Sequence, residues 1–202
     1  ALCMRETGWT LTANEGQDFG PFDWVVSTAP SDQTSHLFPK EFQGRAALDT
    51  TRMAGCFALL LGFDKPSNLT WEAAKAVGSP IGWIAVNSTK PERPNGYSIV
   101  VQSTNAWADT HIDQPKDWVE ANLINELKAL SGLDGDEAVY RSLHRWRFAS
   151  TPAPAGLEYL LDASNRLAAC GDWLIKGRVE AAYTSASALA DALLPLIGAR
   201  SN

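Results

Sequence analysis

What this chain of 202 residues does without narrows what it can be. No segment approaches the roughly 18 uninterrupted apolar residues of a membrane-spanning helix, so a soluble protein with no membrane partner is expected. Lys and Arg number 17 against 23 Asp and Glu, a net charge of −6, and no run of them forms the basic stripe that follows a phosphate backbone. Nucleic acid is therefore not an expected partner. The three cysteines, Cys3, Cys56 and Cys170, are odd in number, far apart and without a Cys-x-x-Cys. They suggest neither a disulfide framework nor a zinc site, and fit a reducing cytoplasm. There is no Gly-x-Ser-x-Gly, no pair of histidines and no Cys beside a His, so no nucleophile or general base announces itself. Gly-x-Gly-x-x-Gly is missing as well. The nearest glycine cluster, SGLDGDE at 131–137, lacks its spacing and fails the calcium-loop pattern, and reads as a helix-to-strand loop. The opening ALCMRETGWTLTANEG has no charged-then-apolar leader with a small-residue cleavage site. It enters at once on the middle of what reads as a hairpin, and we expect a longer protein whose front this sequence does not include.

What is present is an ordinary globular composition, 45% hydrophobic and 20% charged, with eight tryptophans for large apolar walls in a core or around a flat ligand. Alternation around Trp9 and Leu11, a turn through Asn14 to Gly20 and an apolar run from Phe22 to Val26 closed by Pro30 predict two strands. A polar stretch with helical potential follows. TRMAGCFALLLGFDKP predicts a long strand ended by Pro66. IGWIAVNSTKPERPNGYSIVVQST predicts two neighbouring antiparallel strands across a loop ending in Asn95-Gly96. From Pro115 the period becomes helical, with Val119, Leu123, Leu127 and Leu130 on one face and Gly132 as the stop. AVYRSLHRWRFAST returns to alternation, TPAPAG breaks it, and NRLAACGD gives a short buried strand. The last helix carries Val179, Ala182, Tyr183, Ala186, Leu189 and Leu193 along one face.

The stretch ACGDWLIKGRVEAAYTSASALADALL, residues 169–194, places a strand end, a carboxylate, a loop and a bare helix N-terminus in succession. A helix start at Gly177-Arg178 offers unpaired N–H groups to an anionic atom. Asp172 can accept from sugar or ribitol hydroxyls, and Gly171 lets backbone approach a ligand closely. An ordinary strand–turn–helix with an exposed aspartate satisfies the same pattern.

These residues resemble the C-terminal flavin motif of renalase-like and amine-oxidase-like flavoproteins. FDWVVSTAP is similar to that family's second flavin-domain segment. WIAVNSTKP, TNAWADTH and LHRWRFASTP resemble substrate-domain segments of bacterial renalases, in the same order. The resemblance implies FAD as cofactor. Asp172 would hold a ribitol hydroxyl beside Gly171, and the N–H groups near Arg178, Val179 and Glu180 would face the flavin's N1 and O2 edge. Thr28, Ala29 and Pro30 would border the dinucleotide near its phosphates or adenosine. Trp83, Asn87, Trp107, His144 and Trp146 would belong to the domain roofing the flavin and would bind a small-molecule substrate. It implies hydride transfer from a dihydronicotinamide dinucleotide, or secondarily an amine, to flavin, with oxygen as final acceptor and hydrogen peroxide as product. Such chemistry asks for stacked geometry and a dry pocket more than for reactive side chains.

Family members open with a strand, Gly-x-Gly-x-x-Gly and a helix that hold the pyrophosphate. The chain is therefore expected to be the C-terminal part of such a flavoprotein, binding FAD poorly by itself and completed by a missing N-terminal segment, another chain or self-association. The alternative is a flavin-free fragment or ligand-binding module with no activity of its own. The expected fold is α/β, an incomplete Rossmann-like FAD-binding layer plus a mixed, largely antiparallel substrate-domain sheet with a covering helix. Residues 1–44 and 156–202 form the flavin-binding parts and 45–155 the substrate domain.

Several residues keep two readings. His144, Trp146 and Phe148 alternate onto one strand face, either lining a pocket or filling a core. Arg145 and Arg147 would meet phosphates or simply edge a solvated sheet. Trp83 faces substrate or core. Glu180 complements the helix dipole, and Arg178 pairs with it or with the flavin's surroundings. Cys170 reads as an apolar filler, and His36 and His111 as exposed loop residues.

Overall fold

The computed structural model describes residues 1–93 and 96–198, so the expected turn at Asn95 lies outside the described residues. The chain divides into two units, Ala1–Met53 together with Ser150–Asn202, and Ala54–Ala149.

In the first unit, β1 (Leu2–Arg5), β2 (Gly8–Thr12) and β3 (Asp18–Phe22) form an antiparallel sheet in that order. The turn expected as far as Gly20 closes earlier, because Thr12 Oγ1 donates to Asp18 at 2.6 Å and Arg5 pairs with the same carboxylate at 3.3 Å. The apolar run from Phe22 to Val26 is consequently not one strand. It breaks at Asp23-Trp24 and resumes as β4 (Val25–Ser27).

β4 belongs to a second sheet with β10 (Leu160–Asp162) and β11 (Leu167–Ala169), in the order β10-β11-β4. β11 runs antiparallel to β10 and parallel to β4, and is buried along its whole length. A strand covered on both faces reads as an unbroken apolar run rather than an alternation. Around these sheets lie α1 (Ser31–Leu37), α2 (Arg45–Thr50), α5 (Asp172–Ile175) and α6 (Val179–Gly198). Trp9, Phe38, Phe42, Leu48, Leu167, Trp173 and Leu174 make one core cluster. Ala168 and Cys170 meet Leu189 and Leu193 of α6 in another.

The face predicted for α6 requires correction. Its buried residues are Ala181, Ser185, Leu189 and Leu193, whereas Val179 is 92% and Tyr183 69% exposed. Apolar residues ring this helix, so periodicity alone selects two faces and only packing chooses between them.

The second unit is a five-stranded sheet of β5 (Arg52–Phe63), β6 (Ala73–Lys75), β7 (Ile81–Val86), β8 (Tyr97–Ser103) and β9 (Tyr140–Ala153), ordered β6-β7-β8-β5-β9. The pairs β6–β7, β7–β8 and β5–β8 are antiparallel. Helix α4 (Lys116–Ser131) starts at Pro115 and stops at Gly132, whose φ of 72° a glycine adopts without Cβ strain. It lays Val119, Leu123, Ile124 and Leu127 on Phe57, Leu59, Leu61, Ile84, Ile99 and Val101. Leu130, expected on that face, is 45% exposed in the last turn. A helix not anticipated, α3 (Asn105–His111), is capped by Thr104 Oγ1, which accepts from the Trp107 N–H at 3.3 Å. The architecture is thus mixed α/β, with a largely antiparallel sheet covered by a helix on one face. Among the described residues no helix is long and apolar enough to cross a membrane.

Candidate functional site

The parallel pairing of β4 and β11 brings two chain segments to one sheet end. Val25, Val26 and Ser27 register with Leu167, Ala168 and Ala169, and the Cys170 N–H donates to the Ser27 carbonyl at 3.0 Å. Thr28, Ala29 and Pro30 therefore leave the sheet beside Gly171 and Asp172. Ligands of open α/β sheets are bound at such carboxyl ends. Trp173 ties the two exits together, since its indole N–H donates to the Ala29 carbonyl at 3.2 Å and its ring is fully buried. Thr28 is exposed, Ala29 and Pro30 are half-buried, and Pro30 opens α1.

Gly171 is required by contact rather than by its dihedrals. Its φ of 162° is extended backbone, but a Cβ there would lie 2.5 Å from the Trp173 indole nitrogen. Its N–H donates to Ser185 Oγ at 3.0 Å, and Ser185 in turn donates to the Glu158 carbonyl at 2.6 Å. One buried hydroxyl thus fixes α6 against the strand end that carries Asp172. Asp172 is half-buried in the first turn of α5. Lys176, Gly177, Arg178, Val179 and Glu180 are all exposed, so the start of α6 opens outward. The Arg178 carbonyl accepts from Ala181 and Ala182, while the first N–H groups of a helix have no partner within it. Trp173 and Ser185 were missed in the sequence. The Trp directly after Gly-Asp was a usable signal, whereas a serine inside a helical run gave none.

In the second unit the strands turn two different faces. Phe57, Leu59, Leu61, Ile84, Ile99, Val101 and Leu143 point to α4. By alternation Ala58, Leu60, Trp83, Ala85, His144 and Trp146 point the other way. Trp83 is 42%, Leu60 37% and Trp146 52% exposed on this second face. A half-buried antiparallel sheet normally turns polar residues to water there. The His144 and Trp146 rings are 4.0 Å apart between centroids. Trp83 on β7 is three strand spacings from β9, roughly 14 Å, so it shares the face without touching that pair. Asn87 begins a short 3-10 turn, Asn87–Thr89, and lines a ≈300 Å³ cavity with Phe63, Ser88, Arg93, Tyr97 and Ser98.

Trp107 is not brought onto this face. It packs against the α4-side core, edge-on to Phe57 at 5.8 Å and stacked on His111 at 4.6 Å, with Trp118 parallel at 6.1 Å. His111 is therefore no loop residue. It lies in α3, and its Nδ1 is 2.8 Å from the Trp107 carbonyl. His36 likewise ends α1, with Nδ1 2.6 Å from the Asp32 carbonyl. Arg145 lies over the Phe57 ring at 5.7 Å and donates to the Gln114 carbonyl at 2.5 Å, and Arg147 pairs with Asp113 at 2.7 Å. Cys170 is 4% exposed, and burial raises its thiol pKa.

No family model matches this chain. Solved structures do resemble it. A protein named as a protoporphyrinogen oxidase from Exiguobacterium sp. 255-15 aligns over 95% of this chain with a TM-score of 0.71 at 12% identity. Cyclohexylamine oxidase from Brevibacterium oxydans IH-35A aligns over 95% at 0.65 and 15% identity. Putrescine oxidase bound to putrescine aligns over 95% at 0.63 and 10% identity. The alignments cover 45%, 47% and 47% of those chains, so this chain spans a little under half their length. At these identities the likeness is one of fold.

Proposed function

We propose that this chain is the part of an FAD-dependent oxidoreductase that contacts the flavin's ribitol and pyrimidine end and carries the substrate roof. The observation that carries the reading is the strand end of β11 running through Gly171 and Asp172 to the open start of α6, in a chain whose fold is that of oxidases. The chemistry that FAD would supply when bound is acceptance of a hydride and, with a proton from the substrate or solvent, reduction of oxygen to hydrogen peroxide. Asp172 would hold the cofactor by accepting a hydrogen bond from a ribitol hydroxyl, and the N–H groups of Val179 and Glu180 would stabilise negative charge at the helix start. Thr28, Ala29 and Pro30 border the same sheet end. The apolar sheet face with Trp83, His144 and Trp146 excludes water and stacks against a flat hydride donor, a dihydronicotinamide dinucleotide first and an amine second. Asn87 lines a cavity with Phe63 and Tyr97 and so falls outside this face, while Trp107 supports the sheet from the core.

The residues fit only one end of the cofactor. Nothing in the chain offers the glycine-rich turn that holds a pyrophosphate, so weak retention of FAD is expected until that half is supplied. Flavin fluorescence quenching and retained absorbance after gel filtration test the reading. Asp172→Ala should weaken binding about tenfold, or about 1.4 kcal/mol. Equal FAD affinity in Asp172→Ala, or no binding by the parent chain at saturating FAD, would sink it. The absent glycine turn also favours a second reading, a flavin-free ligand-binding module. A folded, colourless chain that still binds an aromatic ligand would establish that instead.

A further inference from the structure

The sheet of residues 54–149 sets one row of side chains straight across the face turned away from α4. Lys75 registers with Trp83, Trp83 with Gln102, and Gln102 with Ala58. Residues directly opposite one another in antiparallel strands share a face, with Cβ atoms about 4.5–5.5 Å apart. Strand β9 completes the row. A Cβ on Gly62 would lie 3.2 Å from the Tyr140 Cβ, and one on Gly55 would lie 3.4 Å from the Trp146 carbonyl oxygen. β9 therefore runs antiparallel to β5, and His144 falls beside Ala58. The order across the face is Lys75, Trp83, Gln102, Ala58 and His144.

Ala58 is the low point of the row, 8% exposed between the larger Gln102 and His144. Lys75 and Gln102 are exposed, and among the described residues no ion pair or hydrogen bond engages the Lys75 ammonium or the Gln102 side-chain amide. Lys75 is also the one formally charged strand residue of this unit that alternation turns to the face, since Arg141, Arg145 and Arg147 of β9 point the other way. A lone cation at one end of a neutral aromatic row complements a ligand that carries a flat ring and, some way from it, an anionic group. We propose that this row selects the hydride donor, with the Gln102 amide pairing with the carboxamide of a dihydronicotinamide ring above Ala58 and Lys75 meeting the phosphate nearest that ring. The inference rests on the reading of this face as the substrate roof. Ala58 lies three strand spacings from Lys75, roughly 14 Å, which the four-carbon stem of the lysine and one ribose together cover. A side-chain amide donates and accepts, so Gln102 meets a carboxamide through two hydrogen bonds. An amine without an anionic group gains nothing from Lys75, so the row favours the dinucleotide.

The test needs no flavin. Energy transfer from tryptophan to dihydronicotinamide is titrated with two probes, dihydronicotinamide mononucleotide and dihydronicotinamide riboside, which lacks the phosphate. The parent chain should bind the mononucleotide more tightly, and added salt should remove that preference. Lys75→Met should weaken the mononucleotide about threefold to fivefold, as expected of one exposed ion pair, and leave the riboside unchanged. Lys75→Arg should restore the preference, and Gln102→Leu should weaken both probes by the same factor. All three positions are exposed or conservatively changed, and the far-ultraviolet spectrum confirms the fold. Equal binding of the two probes by the parent, a Lys75→Met variant that treats them alike in its losses, or a Gln102→Leu variant that binds as the parent does would each overturn the inference while leaving the roof in place. A parent chain that binds neither probe overturns the roof reading and the inference with it, whatever its retention of FAD.

Discussion

Asp162 shows what a buried charge requires in this fold. Its side chain is wholly inside, and it accepts from the Gln43 N–H at 3.0 Å, the Asn165 N–H at 3.0 Å and Asn165 Nδ2 at 2.8 Å. Burial acts to raise its pKa, but the hydrogen bonds outweigh it and the net direction is down. A carboxyl whose folded pKa is depressed adds stability that is fully present above the unfolded value of about 3.9 and is lost as pH falls through the folded one. Asp162→Ala should therefore cost about 2–3 kcal/mol in urea unfolding at neutral pH. The parent and Asp162→Asn stabilities should converge as pH falls below about 4. A constant gap between them across that range would contradict this account. Nothing in the sequence distinguished Asp162 from its neighbours, because its donors are Ser164 and Asn165 beside it and Gln43, far along the chain.

Elements that carry their own boundaries were legible. Pro115 and Gly132 bracket α4, and the long apolar run closed by Pro66 declares β5. Helix α3 was not legible, since Ala108 is its one buried residue and Asn, Trp, Asp, Thr and His are indifferent helix formers. It is held instead by tertiary bonds to Gly55. The Gly55 N–H donates to Asp109 Oδ1 at 2.7 Å, and Asn105 Nδ2 donates to the Gly55 carbonyl at 2.6 Å. Asp109→Ala leaves a buried N–H without its acceptor and should lower stability by about 1–3 kcal/mol. Because α3 presents Trp107 and His111 to Trp118, tryptophan emission should change in the native variant, and unchanged emission would mean that α3 is placed by other forces. The candidate site divides in the same manner. Gly171 and Asp172 could be found in the linear pattern, whereas the Trp173 bond to Ala29 and the Ser185 bond to Gly171 exist only once distant segments meet.

At the scale of the molecule, the two units differ in how their sequence is laid out. Residues 54–149 are continuous, whereas the other unit is assembled from both ends of the chain. Val25 registers with Leu167, and the Trp9 indole N–H donates to the Asn165 carbonyl at 2.8 Å. Closing such contacts costs the entropy of ordering everything between them, unless the intervening segment is already compact. A polypeptide made from its N-terminus at about 5–20 residues per second meets this asymmetry in time. Residues 1–53 leave the ribosome before residues 150–198 and wait for them, while the central segment emerges complete and can fold at once. Residues 54–149 made alone should unfold cooperatively, and arrested nascent chains should acquire protease resistance there before the N-terminal strands do. The order of synthesis thereby becomes an order of folding, in which the continuous unit forms before the one assembled from both ends of the chain.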